Sequence, residues 1–191
     1  MATEKEIDNA LDYIELQQLP LRYGHALDLI GRGRHRKDDN ILNEGATLLR
    51  ECFTEDFIFE ELAGEQINIP GAEGWVSYVG NALGGFVGTQ HLIAPPLVII
   101  KKRPSSIDGI RIGGEATLRS YVIATHISPP VGTTIHDLGE KSPATKAGTN
   151  FGVYGTYRDE CTRTQEGWRI RRRSLDYVHT QGYLFGEQGG N

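Results

Sequence analysis

Apolar positions along residues 4–30 recur at helical spacing. Ile7, Leu11, Ile14 and Leu19 mark one side, and Leu21, Ala26, Leu27 and Ile30 continue it. Pro20 predicts a break or a new helix start near 19–20, because proline has no N–H for an interior helical bond. Residues 31–40, GRGRHRKDDN, are polar with two glycines and read as a loop. A second helix is predicted over 41–52 through Ile41, Leu42, Leu48, Leu49 and Cys52. The stretch EDFIFEE at 55–61 alternates, with Phe57 and Phe59 on one side and Ile58 on the other, as a short strand does. A third helix is predicted over 72–87 around Trp75, Val76, Val79 and Leu83, weakened by Gly80, Gly84 and Gly85.

Near residue 88 the period changes. Residues 89–101 are rich in branched aliphatics. Residues 115–127 alternate: Ala116, Leu118, Ser120, Val122, Ala124 and His126 share one face, and Arg119, Tyr121, Ile123 and Thr125 the other. Two more strands, 151–162 and 167–178, are joined by the turn RTQEG. The proline- and glycine-bearing stretch 128–149 reads as a long surface loop, and 186–191 as a frayed tail. Helices followed by a run of strands predict one α+β domain over 1–191. A strongly bent sheet wrapped around the helices would leave a pocket between them.

Composition narrows the function. Hydrophobic residues make up 38% and charged residues 24%, which suits one domain with a real core. The formal net charge of -5 argues against a nucleic-acid partner, since phosphate contacts need a clustered basic surface. The one basic run, RIRRR at 169–173, lies in a predicted strand, where alternation puts Arg169, Arg171 and Arg173 opposite Trp168, Ile170 and Arg172. Cys52 and Cys161 are two cysteines without paired spacing, and read as core residues. The polar start MATEKEIDNA is unlike a signal peptide, and no apolar run approaches the ~20 residues that span a bilayer. The default reading is a cytoplasmic protein with no membrane partner. A sheet face carrying Tyr121 and Ile123 points to a homo-oligomer, a dimer or trimer.

Cofactor signals are absent. GRGR at 31–34 follows a helix rather than a strand, so it is no dinucleotide fingerprint, and there is no phosphate-binding loop. His35, Asp38 and Asp39, or His126 and His136, lack ordered metal spacing. The expectation is neither cofactor nor metal.

Acid–base chemistry has better candidates. Histidine is the side chain best matched to proton transfer near neutral pH. A buried aspartate on one ring nitrogen would fix its tautomer and stabilise the imidazolium. Asp28, on the predicted first helix, and His91, in GTQHLIAPP, form the best such pair. The plainer alternative is a satisfied core histidine and a polar residue at a helix end. Tyr23 sits five positions before Asp28 and can line an adjoining wall, holding or protonating a substrate oxygen; otherwise it is a half-buried aromatic. His25 reads as a surface or interface residue. Arg173 would bind an anionic or phenolate-like oxygen if it faces a cavity, and is a solvated strand residue if it does not. His126 is expected at the pocket mouth, with Trp75 and Phe59 as substrate-binding walls. Asp56 and Glu60 are available as partners for the arginines.

Several stretches resemble one family: LRYGHALD at 21–28, EDFIFE at 55–60, GTQHLI at 88–93, GEATLRSYVIATH at 114–126 and FGVYGTYRDECTRTQEGWRIRRRSLDY at 151–177. Their order and spacing cover most of the chain. The chain looks like a member of the SnoaL-like branch of the nuclear-transport-factor-2-like superfamily. The resemblance implies an α+β cone, with N-terminal helices packed in a strongly curved, mostly antiparallel sheet that encloses an apolar pocket. The branch includes scytalone dehydratase, hexachlorocyclohexane dehydrochlorinase, a bile-acid 7α-dehydratase, polyketide cyclases, steroid isomerases and lyases that remove formaldehyde from diaryl compounds. By that resemblance Asp28 and His91 fall on the dehydratase and dehydrochlorinase pair. Tyr23 matches a tyrosine of the bile-acid enzyme, and Arg173 an arginine of the dehydrochlorinase pocket. Residues 31–40 and 128–149 depart from the better-known members as insertions.

The function expected from residues and resemblance together is a cofactor-independent lyase. It would dehydrate, or eliminate a small carbonyl compound from, a small and largely apolar cyclic or aromatic substrate, with His91, Asp28 and Tyr23 as its catalytic groups. An isomerase or cyclase using the same dyad is the second reading, and a non-catalytic small-molecule-binding protein the third.

Overall fold

One helix of 33 residues, α1 (Glu4–Arg36), runs without interruption through Pro20 and through the expected loop. The chain is seen here in a computed structural model that describes residues 2–62, 65–129 and 150–182. Thr3 caps α1 in a reciprocal pair with Glu6, and Lys37 closes it in the left-handed conformation, φ 52°. The predicted break at Pro20 does not occur. Pro20 is fully buried, and Leu16, Leu19, Tyr23, Leu27 and Ile30 form one buried stripe across it. Packing on both sides of the proline holds the helix through its missing hydrogen bond, so tertiary context overrides the local penalty.

The same holds for residues 31–40. They form the last turns of α1, a short connection at Lys37 and Asp38, and the start of α2 (Asp39–Arg50). Asp38 caps α2, accepting from the backbone N–H of Asn40 and Ile41 at 3.0 and 3.2 Å. The glycines serve close packing instead of a turn. A Cβ on Gly33 would lie 2.6 Å from the Leu42 backbone nitrogen, and one on Gly45 2.9 Å from that of Ile30. Only glycine lets α1 and α2 come so near.

The third helix, α3 (Gly71–Leu83), ends before the glycines at 84–85. The strands are β1 (Phe53–Leu62), β2 (Glu65–Pro70), β3 (Gly88–Ile93), β4 (Leu97–Lys102), β5 (Ser105–Ile107), β6 (Ile110–Ile112), β7 (Glu115–Ile127), β8 (Asn150–Thr164) and β9 (Gly167–Gly182). The strand at 115–127 has the predicted bounds, and its expected inner face, from Ala116 to His126, is the buried one. β2 and the separate β5–β6 hairpin are additions to the predicted elements. The expected loop at 128–149 and tail at 186–191 fall almost entirely outside the described residues.

The α+β class holds, with three helices and one large sheet among the described residues, but the expected sheet geometry is corrected. The seven-stranded sheet has the order β2-β1-β9-β8-β7-β3, with β4 also paired to β7. It is mixed, because β1 and β9 run parallel. β2 pairs with one edge of β1, and β9, the last strand among the described residues, pairs with the other. The order begins at β2 and stops at β3 without the two pairing, so the sheet stays open. Five of its six strand pairings are antiparallel, as the resemblance implied, but it is not the strongly curved wrap around the helices that was expected. α1 lies against β3 and β9, and α3 against β1. The core between them includes Phe57, Phe59, Trp75, Leu118, Val122, Trp168 and Ile170.

Polar contacts tie the N-terminal half of α1 to the sheet. Asp12 is fully buried, receives the Trp168 indole N–H at 2.9 Å, and pairs with Arg111. Glu15 pairs with Arg163. On the outer sheet face Tyr121 and Ile123 are exposed, with Leu92, Leu97 and Ile99 beside them.

Candidate active site

A cavity of about 150 Å³ opens between α1, α3 and the inner sheet face. Five of the expected site residues line it: Tyr23 from α1, Phe59 from β1, Trp75 from α3, His91 from β3 and His126 from β7. Leu27, Val79, Leu83, Val122, Val153 and Leu175 supply apolar wall, and Tyr78, Tyr157 and Tyr177 add phenols.

Asp28 stands behind His91. Its Oδ1 lies 2.8 Å from His91 Nδ1, and its Oδ2 accepts the His91 backbone N–H at 3.1 Å. The Thr89 hydroxyl donates to Oδ1 at 3.4 Å. The His91 side chain is only 5% exposed and that of Asp28 19%. A carboxylate can only accept, so Nδ1 carries the proton and donates, which leaves Nε2 as an acceptor in the cavity that His91 lines. The helix places Asp28 one turn beyond Tyr23 and Gly24, where Gly24 lets β3 approach: a Cβ there would sit 3.2 Å from the His91 carbonyl.

His126 meets His91 edge to face, ring centroids 5.4 Å apart at 85°. Its Nδ1 donates to the Phe151 carbonyl at 3.4 Å. Burial, helped by His91 nearby, lowers its pKa to about 4, so this ring is neutral at pH 7. His126 is therefore a wall and a hydrogen-bonding group rather than a charge.

Arg173 lies elsewhere than expected. Simple alternation places it with Arg169 and Arg171. A β-bulge intervenes: Cys161 pairs with Ile170 and Glu160 with Arg172, so Arg171 is an extra residue. The bulge shifts the phase, and Arg173 joins Trp168 and Ile170 on the inner side, fully buried. It does not line the cavity. It grips Asp159 with two bonds of 2.7 and 2.8 Å, both side chains fully buried, and lies over the rings of Tyr23 and Tyr157 at 3.9 and 4.3 Å. Burial opposes its charge, but Asp159 more than offsets that, so the guanidinium stays protonated. Burial raises the Tyr23 phenol, partly offset by the Arg173 charge. Tyr157 is pushed well above the usual range by burial and by Tyr23.

His25 is exposed, as expected of a surface residue. Glu60 pairs with Arg172. Cys52 and Cys161 are buried and unlinked, and burial raises both thiols. Among the described residues no three His, Cys, Asp or Glu side chains are grouped to hold a metal, and no helix is long and apolar enough to cross a membrane. Sequence reading missed Thr89, Tyr157 and Asp159. A signal for the last two was present: alternation of Val153, Gly155, Tyr157, Asp159 and Cys161 puts them on the inner face of β8.

The SnoaL-like domain family matches residues 42–174 of the chain. No curated protein matches it by sequence. Solved structures share its fold. An aromatic-ring hydroxylase candidate from Novosphingobium aromaticivorans aligns with a TM-score of 0.61 at 20% identity, over 92% of this chain and 95% of that one. A scytalone dehydratase candidate from the same organism aligns at 0.61 and 16%, over 96% and 99%. A hexachlorocyclohexane dehydrochlorinase aligns at 0.58 and 11%, over 97% and 99%.

Proposed function

The chain belongs to the SnoaL-like domain family, and on that premise we propose that it is a cofactor-independent lyase acting on a small, largely apolar cyclic or aromatic substrate. The observation that carries this reading is the Asp28–His91 contact at 2.8 Å on the wall of an apolar cavity. For loss of water, His91 Nε2 takes a proton from substrate carbon and returns it to the departing hydroxide; for loss of an aldehyde, it takes the proton of the β-hydroxyl and returns it to the carbon from which the aldehyde leaves. Asp28 holds the ring in the required tautomer and stabilises the imidazolium formed. Tyr23 binds the oxygen on which charge develops. The aromatic wall favours a flat ring: Trp75 stacks with Phe59 at 4.1 Å and with Tyr78 at 5.1 Å. The likeness to a scytalone dehydratase candidate and to a dehydrochlorinase supports elimination over simple capture.

The test is turnover on a panel of small cyclic β-hydroxy carbonyl compounds, followed by loss of water or of a small aldehyde. Wild type should turn over at least one of them, and His91→Ala should lose at least about 10²-fold of that rate with an unchanged circular dichroism spectrum. Product that keeps every atom of its substrate, with the proton moved, would replace elimination by isomerisation. Equal turnover by His91→Ala would remove the imidazole from the mechanism.

A further inference from the structure

We propose that the outward side of α1 is a helix-pairing seam, through which two copies of this chain dock antiparallel about a two-fold axis.

Ile7, Leu11, Ile14, Gln18 and Leu21 follow one another at alternating steps of four and three residues. That is the spacing of a coiled-coil seam, which holds one line along a helix with a drift of about 20° in seven residues. At about 100° per residue, this line falls nearly opposite the buried stripe of Leu16, Leu19, Tyr23 and Leu27. The domain core uses one side of the helix and leaves the other in water. Ile7 is 51% exposed, Leu11 48%, Ile14 49% and Leu21 43%. Ala10 is exposed beside them. Polar residues of the same half of α1 are bound within the chain: Asp8 and Asp12 to Arg111, Asn9 to Arg103 and Glu15 to Arg163. A continuous line of exposed branched aliphatics marks a contact surface.

Charge decides the occupant. The first turn of α1 is acidic, with Glu4 and Glu6. The far end of the seam carries Arg22 and the exposed His25. Arg22 bonds Glu51 through Nη2 and still has 40% of its side chain exposed. An axis between Leu11 and Ile14 packs these two residues against their counterparts and brings Glu4 beside Arg22 of the second copy. Gln18 then falls opposite Ile7 at the rim, where its amide stays in reach of water. A parallel pair would set Glu4 and Glu6 against their own copies and align the two helix dipoles, both unfavourable. The same stretch is thus its own complement, which is what a two-fold contact requires. A lipid surface fits less well, because Glu4, Glu6, Asp8 and Glu15 outnumber Lys5 and Arg22 along the helix and anionic headgroups repel them.

The contact is small. From Glu4 to Arg22 each helix presents a strip about 27 Å long and about 10–12 Å wide, on the order of 300 Å² in outline. That lies at the low end of specific interfaces, so the dimer should dissociate in the micromolar range.

Analytical ultracentrifugation of the full chain, up to millimolar concentration, tests the seam. Wild type should pass from monomer to dimer as concentration rises. Ile14→Glu places two carboxylates together near the axis and should raise the dissociation constant at least about 100-fold. Ile123→Glu, on the outer sheet face, should leave it unchanged. Glu4→Lys should raise it about tenfold, because the new cation meets Arg22 of the second copy. Ile7→Glu is the second seam variant. It lies in the first two turns of α1, where no residue is buried, and it decides if Ile14→Glu alters the circular dichroism spectrum. A wild-type chain that stays monomeric, leaving the seam to a different protein or a lipid surface, overturns the proposal. So does a trimer, which a two-fold contact cannot close, or a dimer that survives both seam variants. A dimer lost in Ile123→Glu and kept in Ile14→Glu moves the contact to the sheet and overturns it as well. A constant that Glu4→Lys leaves unchanged overturns the antiparallel direction.

Discussion

Asp28 holds His91 twice, once through the ring at 2.8 Å and once through the backbone N–H at 3.1 Å. The two bonds use both carboxylate oxygens. They fix the imidazole and the position of β3 against α1 together, so the geometry of the His91 ring is set by the packing of a helix on an edge strand. Asp28→Asn keeps the size of the side chain but replaces one acceptor oxygen by a donor NH₂. That amide can still hold the backbone N–H, or the ring, but not in the same way. We expect turnover to fall by about 10²–10⁴-fold while thermal stability changes little, with the His91 tautomer read by ¹⁵N NMR moving away from the Nδ1–H form. Wild-type turnover with the tautomer changed would separate Asp28 from the chemistry.

The pair Arg173–Asp159 predicts an asymmetry between single and double variants. Both side chains are fully buried, and each is the other's principal counter-charge. Arg173→Met leaves a buried carboxylate unpaired, and Asp159→Leu a buried guanidinium. Each should cost about 3–5 kcal/mol in urea unfolding, and the double variant should recover most of that loss. Additive losses would mean that neither charge depends on the other.

Much of this is legible in the sequence, for identifiable reasons. The strand at 115–127 alternates cleanly, so its bounds and faces can be read directly. The residues around the cavity are legible because Tyr23, Asp28 and His91 are the chemistry-bearing residues on elements whose period is clear. Arg173 escapes such a reading because one extra residue, Arg171, reverses the side chains that follow it in β9 until a second extra residue at Val178, and no local pattern announces a bulge. The 33-residue helix escapes it because Pro20, Gly31 and Gly33 carry strong local penalties that long-range packing overcomes. The open sheet is hidden because the parallel pairing of β1 with β9 joins segments far apart in the chain.

The glycine at the α1–α2 crossing makes a prediction against helix propensity. Alanine normally favours a helix over glycine by about 1 kcal/mol. At Gly33 the added methyl would meet the Leu42 backbone nitrogen and Cα at 2.6 and 2.7 Å, atoms that cannot rotate away. Gly33→Ala should destabilise by about 1–3 kcal/mol as the helices are forced apart. Gly74→Ala in α3 is the control, because its new methyl would touch only the Ile69 side chain at an ordinary 3.4 Å. It should be neutral or stabilising by up to about 1 kcal/mol. Chemical denaturation of the two variants compares them directly, and a stabilised Gly33→Ala would show that the helix crossing yields.

His126 predicts the acid side of the stability profile. Burial, followed by the neighbouring His91, holds its folded pKa at about 4, below the 6.5 of an unperturbed histidine. Between those values the unfolded chain binds a proton that the folded protein refuses. Stability therefore falls as pH drops from 6.5 towards 4, and this contribution is constant below and above that window. From pH 7 to pH 5 the loss from His126 is about 2 kcal/mol, because each tenfold rise in proton concentration inside the window is worth about 1.4 kcal/mol. His35, whose pKa is also lowered by burial, acts in the same direction, so the measurement must be a difference. Urea unfolding of wild type and His126→Leu at pH 7 and pH 5 provides it. Whatever stability the variant starts from, its loss between the two pH values should be smaller than that of wild type by about 2 kcal/mol. Equal losses in the two proteins would mean that His126 accepts its proton as readily when folded as when unfolded, and that the ring is not held neutral by its burial beside His91.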